Sequence, residues 1–266
     1  MYWQKRFDRK DPDEGLLQMM QAVRETHKDY GYRRIHGELR KQGLKVNKKR
    51  VQRIVQSYGM QVTSYTRKSR RFSTYKGTVG GIAPNRVNRR FSTCIPHQKI
   101  TTDTTEFKYY EPDAKGKVSI RKLYLDPFMD MWNLEILSYG ISDKPSAQSI
   151  MTALNEAIEE TSDCRYRRTF HSDRGWAYQM GAYRQKLKEN RIFQSMSRKG
   201  NCYDNSPMEN FFGIMKQEMY YGRVYNSFDE LKDAIDQYIR YYNQKRIKAS
   251  LGYRSPIEYR NEMLAA

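Results

Sequence analysis

The sequence predicts an α/β domain, a mixed sheet flanked by helices, preceded by a basic helical region and followed by a helical segment. Three observations carry this reading. Positive charge is concentrated in the first hundred residues, where 24 Lys and Arg face 7 Asp and Glu, a net +17, while the remaining residues hold 25 against 23. Between about 98 and 222, stretches rich in Thr, Tyr and Ile alternate with stretches whose apolar residues recur every four positions. From about 223 onward an apolar stripe follows a helix-start signal.

Region 1–66 reads as helical. Ile35 and Leu39 share one face of a helix from Tyr32 to Gln42, and Gly43-Leu44-Lys45-Val46 makes a turn. Asn47 is the candidate N-cap of a second helix that turns Val51, Ile54 and Val55 inward and stops at Tyr58-Gly59. Two short helices across a glycine-containing turn resemble a helix-turn-helix. Lys48, Lys49, Arg50 and Arg53 on the second helix are candidate DNA-binding residues; an ordinary helical hairpin with a basic, solvated face is the other reading.

Region 67–97 reads as an extended basic linker, with Arg67, Lys68, Arg70, Arg71, Arg89 and Arg90 around Gly80-Gly81 and Pro84. In region 98–222, Lys99–Tyr110, Lys117–Asp126 and Leu134–Ser142 predict three strands. A helix follows over Ser146–Thr161, with Ile150, Leu154 and Ile158 in line, then a short strand near Arg167–His171 and a helix marked by Tyr183 and Leu187. In region 223–266, Ser227 and Glu230 form a capping-box pattern ahead of Phe228, Leu231, Ile235, Tyr238 and Tyr242, a stripe expected to pack on the core.

Composition narrows the function. No apolar run approaches the roughly 18 residues of a membrane span, and the charged N-terminus lacks the apolar stretch of a secretory signal. Cys94, Cys164 and Cys202 are too far apart for a metal-ligand pattern and odd in number, which points to a reducing, cytoplasmic setting. A net charge of +19, gathered at one end, points to a polyanion such as DNA.

The candidate chemistry lies in three acids. Asp103 sits inside the first predicted strand, where an unpaired charge costs several kcal/mol to desolvate. Asp173 follows the short strand ending at His171, where the chain leaves the sheet. Glu209 opens the helix Pro207-Met208-Glu209-Asn210-Phe211-Phe212. Such oxygen donors suit Mg²⁺ or Mn²⁺, and a pair of ions about 3.5–4 Å apart would activate the attacking oxygen and stabilise the leaving one in phosphoryl transfer. Each acid has an ordinary alternative: an ion pair for Asp103, a turn for Asp173, and a Ser206-x-x-Glu209 capping box for Glu209. No convincing Ser-His-Asp or Cys-His set competes, and His171 reads as a supporting residue.

The words around these acids resemble the DDE transposases of bacterial insertion sequences, OrfB-type, the group with a retroviral-integrase-like catalytic core. They are Thr102-Asp103-Thr104-Thr105-Glu106-Phe107, His171-Ser172-Asp173-Arg174-Gly175-Trp176, Ser195 to Asn205, and Met208-Glu209-Asn210-Phe211-Phe212. The group places 35 residues between its last two acids, as here between Asp173 and Glu209. Tyr30 to His36 and Leu251 to Pro256 resemble its terminal regions, so the likeness spans nearly the whole chain.

The resemblance implies an RNase H-like fold with Asp103, Asp173 and Glu209 as ligands of two metal ions. It implies cleavage and strand transfer on double-stranded DNA by a homo-oligomer, through a circular intermediate, and it matches Lys216 to a DNA-contacting basic position. Ile100 stands where the group often has Trp, a change expected to affect packing. The group often joins an upstream-frame protein with its own helix-turn-helix and zipper; no heptad run appears here. A non-catalytic DNA-binding regulator or inhibitor, and a nuclease without strand transfer, are the alternatives.

Overall fold

A computed structural model describes residues 11–62, 80–112, 116–199 and 201–265. The predicted linker residues Arg67, Lys68, Arg70 and Arg71 lie outside the described residues. The chain divides into two compact units, one containing the N-terminal region together with Ile247–Arg254, the other holding the sheet.

In the first unit, α1 (Glu14–Thr26), α2 (Tyr32–Lys41) and α3 (Lys48–Ser57) form a small helical domain. Leu16, Met20 and Val23 line one face of α1 at helical spacing and meet Ile35, Leu39, Val51, Ile54 and Val55 in one core. Asn47 caps α3 as the sequence predicts, its side chain accepting from the Lys49 amide at 2.8 Å. α1 itself was not resolved as a separate helix by the sequence reading.

The segment Ile247–Arg254 completes this core. Ile247 is fully buried in it, and its amide donates to the Tyr30 hydroxyl at 3.0 Å. Tyr253 packs where Gly37 leaves room: a Cβ on Gly37 would stand 2.5 Å from the Tyr253 ring. A side chain at position 37 would therefore have to displace the tyrosine.

The second unit contains a sheet of β1 (Lys99–Thr102), β2 (Thr105–Pro112), β3 (Val118–Asp130), β4 (Ile136–Ser142), β5 (Thr169–Ser172) and β6 (Phe193–Met196). β1 and β2 run along one edge of β3 in a single antiparallel register, Ile100 opposite Asp130 and Thr105 opposite Leu125. The ladder breaks between them, at Asp103 and Thr104. The β3 residues facing that break are Asp126 and Pro127, and proline has no N–H to donate. β4 pairs antiparallel on the other edge of β3, while β5 and β6 extend the sheet parallel to β1.

Helices cover both faces, as a sheet with parallel strands requires. α4 (Ala147–Glu160) and α5 (Gly181–Glu189) bury Ile150, Leu154, Tyr183 and Leu187 against Ile100, Phe128, Phe170 and Met196. α6 (Ser206–Met215) and α7 (Phe228–Gln244) bury Phe211, Met215, Leu231 and Ile235 against Phe107, Leu123 and Leu125. A last helix, α8 (Pro256–Leu264), carries a complete Ser255–Glu258 capping box. Glu230 instead closes its return bond on the Asn226 amide, one residue before the N-cap Ser227.

The stretch from 80 to 97 has no helix or strand, but it is not a free tether: Val87 and His97 are buried.

Candidate active site

The register of the parallel pair sets the site. Lys99 faces Thr169 and Thr101 faces His171, so extending the ladder by two residues places Asp103 beside Asp173. Each is the first residue past its strand, and neighbouring strands lie about 4.8 Å apart. Asn205 ties the start of α6 to the same place. Thr101 Oγ1 donates to its Oδ1 at 2.6 Å, and its Nδ2 donates to the Thr102 carbonyl at 3.2 Å. Glu209 stands in the first turn of α6, half-buried.

The rival capping role for Glu209 is not realised. A short 3₁₀ turn over Cys202–Asn205 runs straight into α6, so Asn205 is the N-cap and Ser206 is already helical. No side chain caps this helix, and no Ser206–Glu209 bond forms.

Electrostatics join the three acids. The Asp103 carboxyl is held well above the usual carboxylate range, first by burial and then by repulsion from Asp173; Glu209 and Asp126 add smaller repulsions, against the bond from the Thr104 amide. Asp173 and Glu209 are raised by burial, Asp173 against a bond from the Gly175 amide at 2.7 Å. Gly175 is required there, because a Cβ would stand 2.9 Å from the Asp173 carboxyl. None of the three acids pairs with Lys or Arg among the described residues.

In the present side-chain arrangement, no three His, Cys, Asp or Glu groups among the described residues are gathered tightly enough to hold a metal ion. The donor set fits a divalent cation in type, being all carboxylate oxygen and short of positive charge.

Two further residues belong here that the sequence reading missed. Asp126 faces the break in the ladder, is fully buried, and accepts from Thr104 Oγ1 at 2.6 Å. Burial pushes its carboxyl up to about 6, against that bond. The signal was available: Asp126 ends the apolar word Leu123-Tyr124-Leu125, and the desolvation cost applied to Asp103 applies to it equally. Tyr178 lies buried beneath, its hydroxyl 3.4 Å from Thr104 Oγ1, and its pKa is raised well above 10 by burial and by Asp126, Asp103 and Asp173.

Asp126 yields a prediction. Its folded pKa of about 6 exceeds the ordinary 3.8, so the unfolded chain binds fewer protons between those values. Stability is therefore lost as pH rises from about 4 through 6, by up to about 3 kcal/mol for a shift of roughly two units. Asp126→Asn should gain about 1–3 kcal/mol at pH 8 and flatten this dependence, as measured by urea unfolding. An unchanged slope between pH 4 and 7 would show that Asp126 is not held protonated.

His171 is a supporting residue. Its Nε2 lies 2.7 Å from the Asp204 carbonyl, which can only accept, so Nε2 carries the proton and Nδ1 accepts from Ser195 Oγ at 2.8 Å. Ser195 Oγ in turn accepts from the Arg86 amide at 2.9 Å. Burial lowers the His171 pKa, consistent with a neutral ring. Asp204 is buried, and Arg198 and Arg89 hold its carboxyl well below the usual range. This network fixes β5, β6 and the start of α6 around the acids.

The predicted DNA-contact residues divide. Lys48 and Lys49 are exposed and make no ion pair among the described residues. Arg50 and Arg53 bind Asp13 at 2.8 and 2.5 Å, tying α3 to the start of α1. Lys216 begins a π-helical turn, Lys216–Tyr220, and its Nζ donates to Thr105 Oγ1 at 2.6 Å, two residues past Asp103.

Comparison with known proteins agrees with this layout. Integrase core domain models match residues 95–202 and 209–264, and an HTH-like domain model matches 10–69. The chain is 41% identical over 233 residues to the Escherichia coli K12 protein named "Putative transposase InsK for insertion sequence element IS150", covering 88% of this chain and 78% of that one. This chain belongs to the insertion-sequence transposases with an integrase core domain.

A transposase-like protein of Haemophilus influenzae is 43% identical over 221 residues, covering 83% of this transposase and 96% of its own length. The Escherichia coli transposase InsF of IS3A is 30% identical over 250 residues, covering 93% and 82%. Among solved structures, the HTLV-2 integrase catalytic core aligns with a TM-score of 0.46 at 16% identity, over 62% of this chain and 97% of that one. The mixed sheet with helices on both faces, the HTH-like N-terminal domain and the C-terminal helices are the architecture expected from the sequence. No helix among the described residues is long and apolar enough to cross a membrane.

Proposed function

We propose that this transposase cuts DNA at the ends of its element and joins the freed 3′-hydroxyl to target DNA, with Asp103, Asp173 and Glu209 sharing two Mg²⁺ or Mn²⁺ ions. The observation that supports this reading is a shortage of positive charge: Asp103 and Asp173 follow adjacent strands, Glu209 opens the helix that Asn205 ties to β1, and none of them pairs with Lys or Arg among the described residues, in a chain of net charge +19. When bound, the ions would supply activation of the attacking oxygen and neutralisation of the leaving one.

The chain's own residues do the remaining work. Asp103 and Asp173 present oxygens from adjacent strand ends, and Asn205 fixes the helix that presents Glu209. Lys216 is placed to hold a DNA phosphate beside the acids, while Lys48 and Lys49 contact duplex DNA in the helical domain. Two element ends must meet, so the active form is an oligomer on DNA. An upstream-frame protein or fusion would add recognition of the ends.

A gel assay in which a labelled 3′-hydroxyl end is joined to a plasmid tests the reaction. Release of cleaved ends without joined product would instead indicate a nuclease, and absence of both a DNA-binding regulator.

Cation binding is also readable without activity. Mn²⁺ at about a hundred times its dissociation constant should stabilise the chain by roughly 2.7 kcal/mol at pH 7.5. The gain should shrink at pH 5, because raised carboxyls must lose protons to bind. Thermal or urea unfolding checks both; equal stabilisation in Asp103→Asn/Asp173→Asn would place the ions elsewhere.

A further inference from the structure

The opposite end of the sheet carries a second concentration of charge. Arg168 precedes β5 and Asp173 follows it, so this end lies roughly 15 Å of strand from the acids. A cleft of about 380 Å³ there is lined by Cys164, Arg165, Tyr166, Arg167, Arg168, Asn190 and Arg191. A neighbouring one shares Arg167 and adds Arg184 and Lys188. Neither lining includes an acid.

Its centre is Phe193, on the edge strand β6. The Arg167 guanidinium lies 3.6 Å from the centre of that ring and the Arg86 guanidinium 4.2 Å. These arginines come from segments 81 residues apart, and the Arg86 backbone is pinned by Ser195 Oγ. Arg184 is pressed against the Gly81 backbone, where a Cβ would stand 2.3 Å from its Nη1. Arg86, Arg165, Arg167, Arg184, Lys188 and Arg191 are all exposed, and none forms an ion pair among the described residues. Ring contacts order the two central guanidiniums but leave their charge unneutralised. Gathering like charges without a carboxylate is unfavourable unless an anion completes the site.

We infer that the face around Phe193 is a second DNA-binding surface, gripping the phosphate backbone of a duplex without reading its sequence. Arg86 and Arg167 hold neighbouring phosphates, flanked by Arg184 on one side and Arg165 and Arg191 on the other. The inference rests on the reading of this chain as a DNA-acting protein. It adds a contact remote from the acids along the sheet. DNA seated there would be held at the far end of the catalytic unit, so that one duplex, or a second one, is anchored while the acids act.

The test is fluorescence anisotropy of the full chain with a labelled 25-base-pair duplex of arbitrary sequence, across a NaCl series. Each phosphate contact contributes about 0.9 to the slope of log affinity against log salt. Arg86→Ala/Arg167→Ala should lower the slope by about two, and Arg86→Lys/Arg167→Lys should retain it. Lys144→Ala/Arg240→Ala, which removes equal charge elsewhere, should leave it unchanged. A fall no larger than this control, or an equal loss in the lysine variant, would overturn the surface. So would self-association of the alanine variant with an unchanged slope, the result expected if these cations only guard an edge strand. Joining activity is read in parallel: intact joining with an unchanged slope removes this surface alone, whereas a wild-type chain that binds no DNA removes both readings.

Discussion

Asp103→Asn should reduce joining of a 3′-hydroxyl end by about a thousandfold or more while leaving duplex affinity within about twofold. The size follows from the several kcal/mol that a catalytic cation contributes to the transition state, each 1.36 kcal/mol being tenfold in rate. The selectivity follows from position. Asp103 follows β1 in the sheet unit, remote in sequence from Lys48 and Lys49, and among the described residues its carboxyl accepts only the local bond from the Thr104 amide. Asp173→Asn and Glu209→Gln should behave alike if, as proposed, the three acids serve as one set. Neutralising any of them also relieves repulsion, so the variants should be at least as stable as the parent without metal. A variant that joins DNA at the parental rate would remove that residue from the site, and one that melts early would indicate a structural role.

Glu218→Ala should cost about 3–5 kcal/mol, the largest stability loss expected from one substitution here. Glu218 accepts from two nitrogens of Arg246, at 2.7 and 2.8 Å, and from the Tyr238 hydroxyl at 2.9 Å. Both members of the pair are buried, at 4% and 6% side-chain exposure. Removing the carboxylate takes both of these bonds from a guanidinium in a poorly solvated place, and desolvation dominates. Glu218→Leu with Arg246→Met should lose much less, since neither charge then remains. Urea unfolding separates the cases; a loss below about 1 kcal/mol in the single variant would mean that water reaches Arg246. Glu218 lies in the same π-turn as Lys216.

Much of this was readable before any coordinates. Strands β3 and β4 and helices α2, α3, α4 and α7 are long or strongly periodic and fall within a few residues of the stretches expected, whereas the single strand expected over Lys99–Tyr110 is divided into β1 and β2. The three acids were singled out because a charge inside a β-rich word, and another just past a strand, violate local expectation, and because the surrounding words and the 35-residue spacing resemble the family.

What escaped notice depended on tertiary contact. β6 has four residues, Phe193-Gln194-Ser195-Met196, and no period can be read from so few. The break between β1 and β2 arises from Pro127 on the opposite strand, which sequence order alone does not place there. Ser206 looked like an N-cap because Pro207 and Glu209 follow it. The preceding 3₁₀ turn moved the helix start to Asn205 and left Glu209 free of that role. Arg50 and Arg53 read as a DNA-facing pair, and their ion pairs with Asp13, in a part of the chain without a clear helical period, were not foreseen. The packing of Ile247–Arg254 with the N-terminal helices depends on Gly37 and Tyr30, more than 200 residues earlier.

Anomalous diffraction from crystals of this transposase soaked in Mn²⁺ at pH 7.5 would locate the ions directly. Sharing of cations by the three acids predicts peaks about 2.0–2.2 Å from oxygens of Asp103, Asp173 and Glu209. Manganese bound away from these residues, or a Glu209 that holds no ion while the aspartates are occupied, would contradict it.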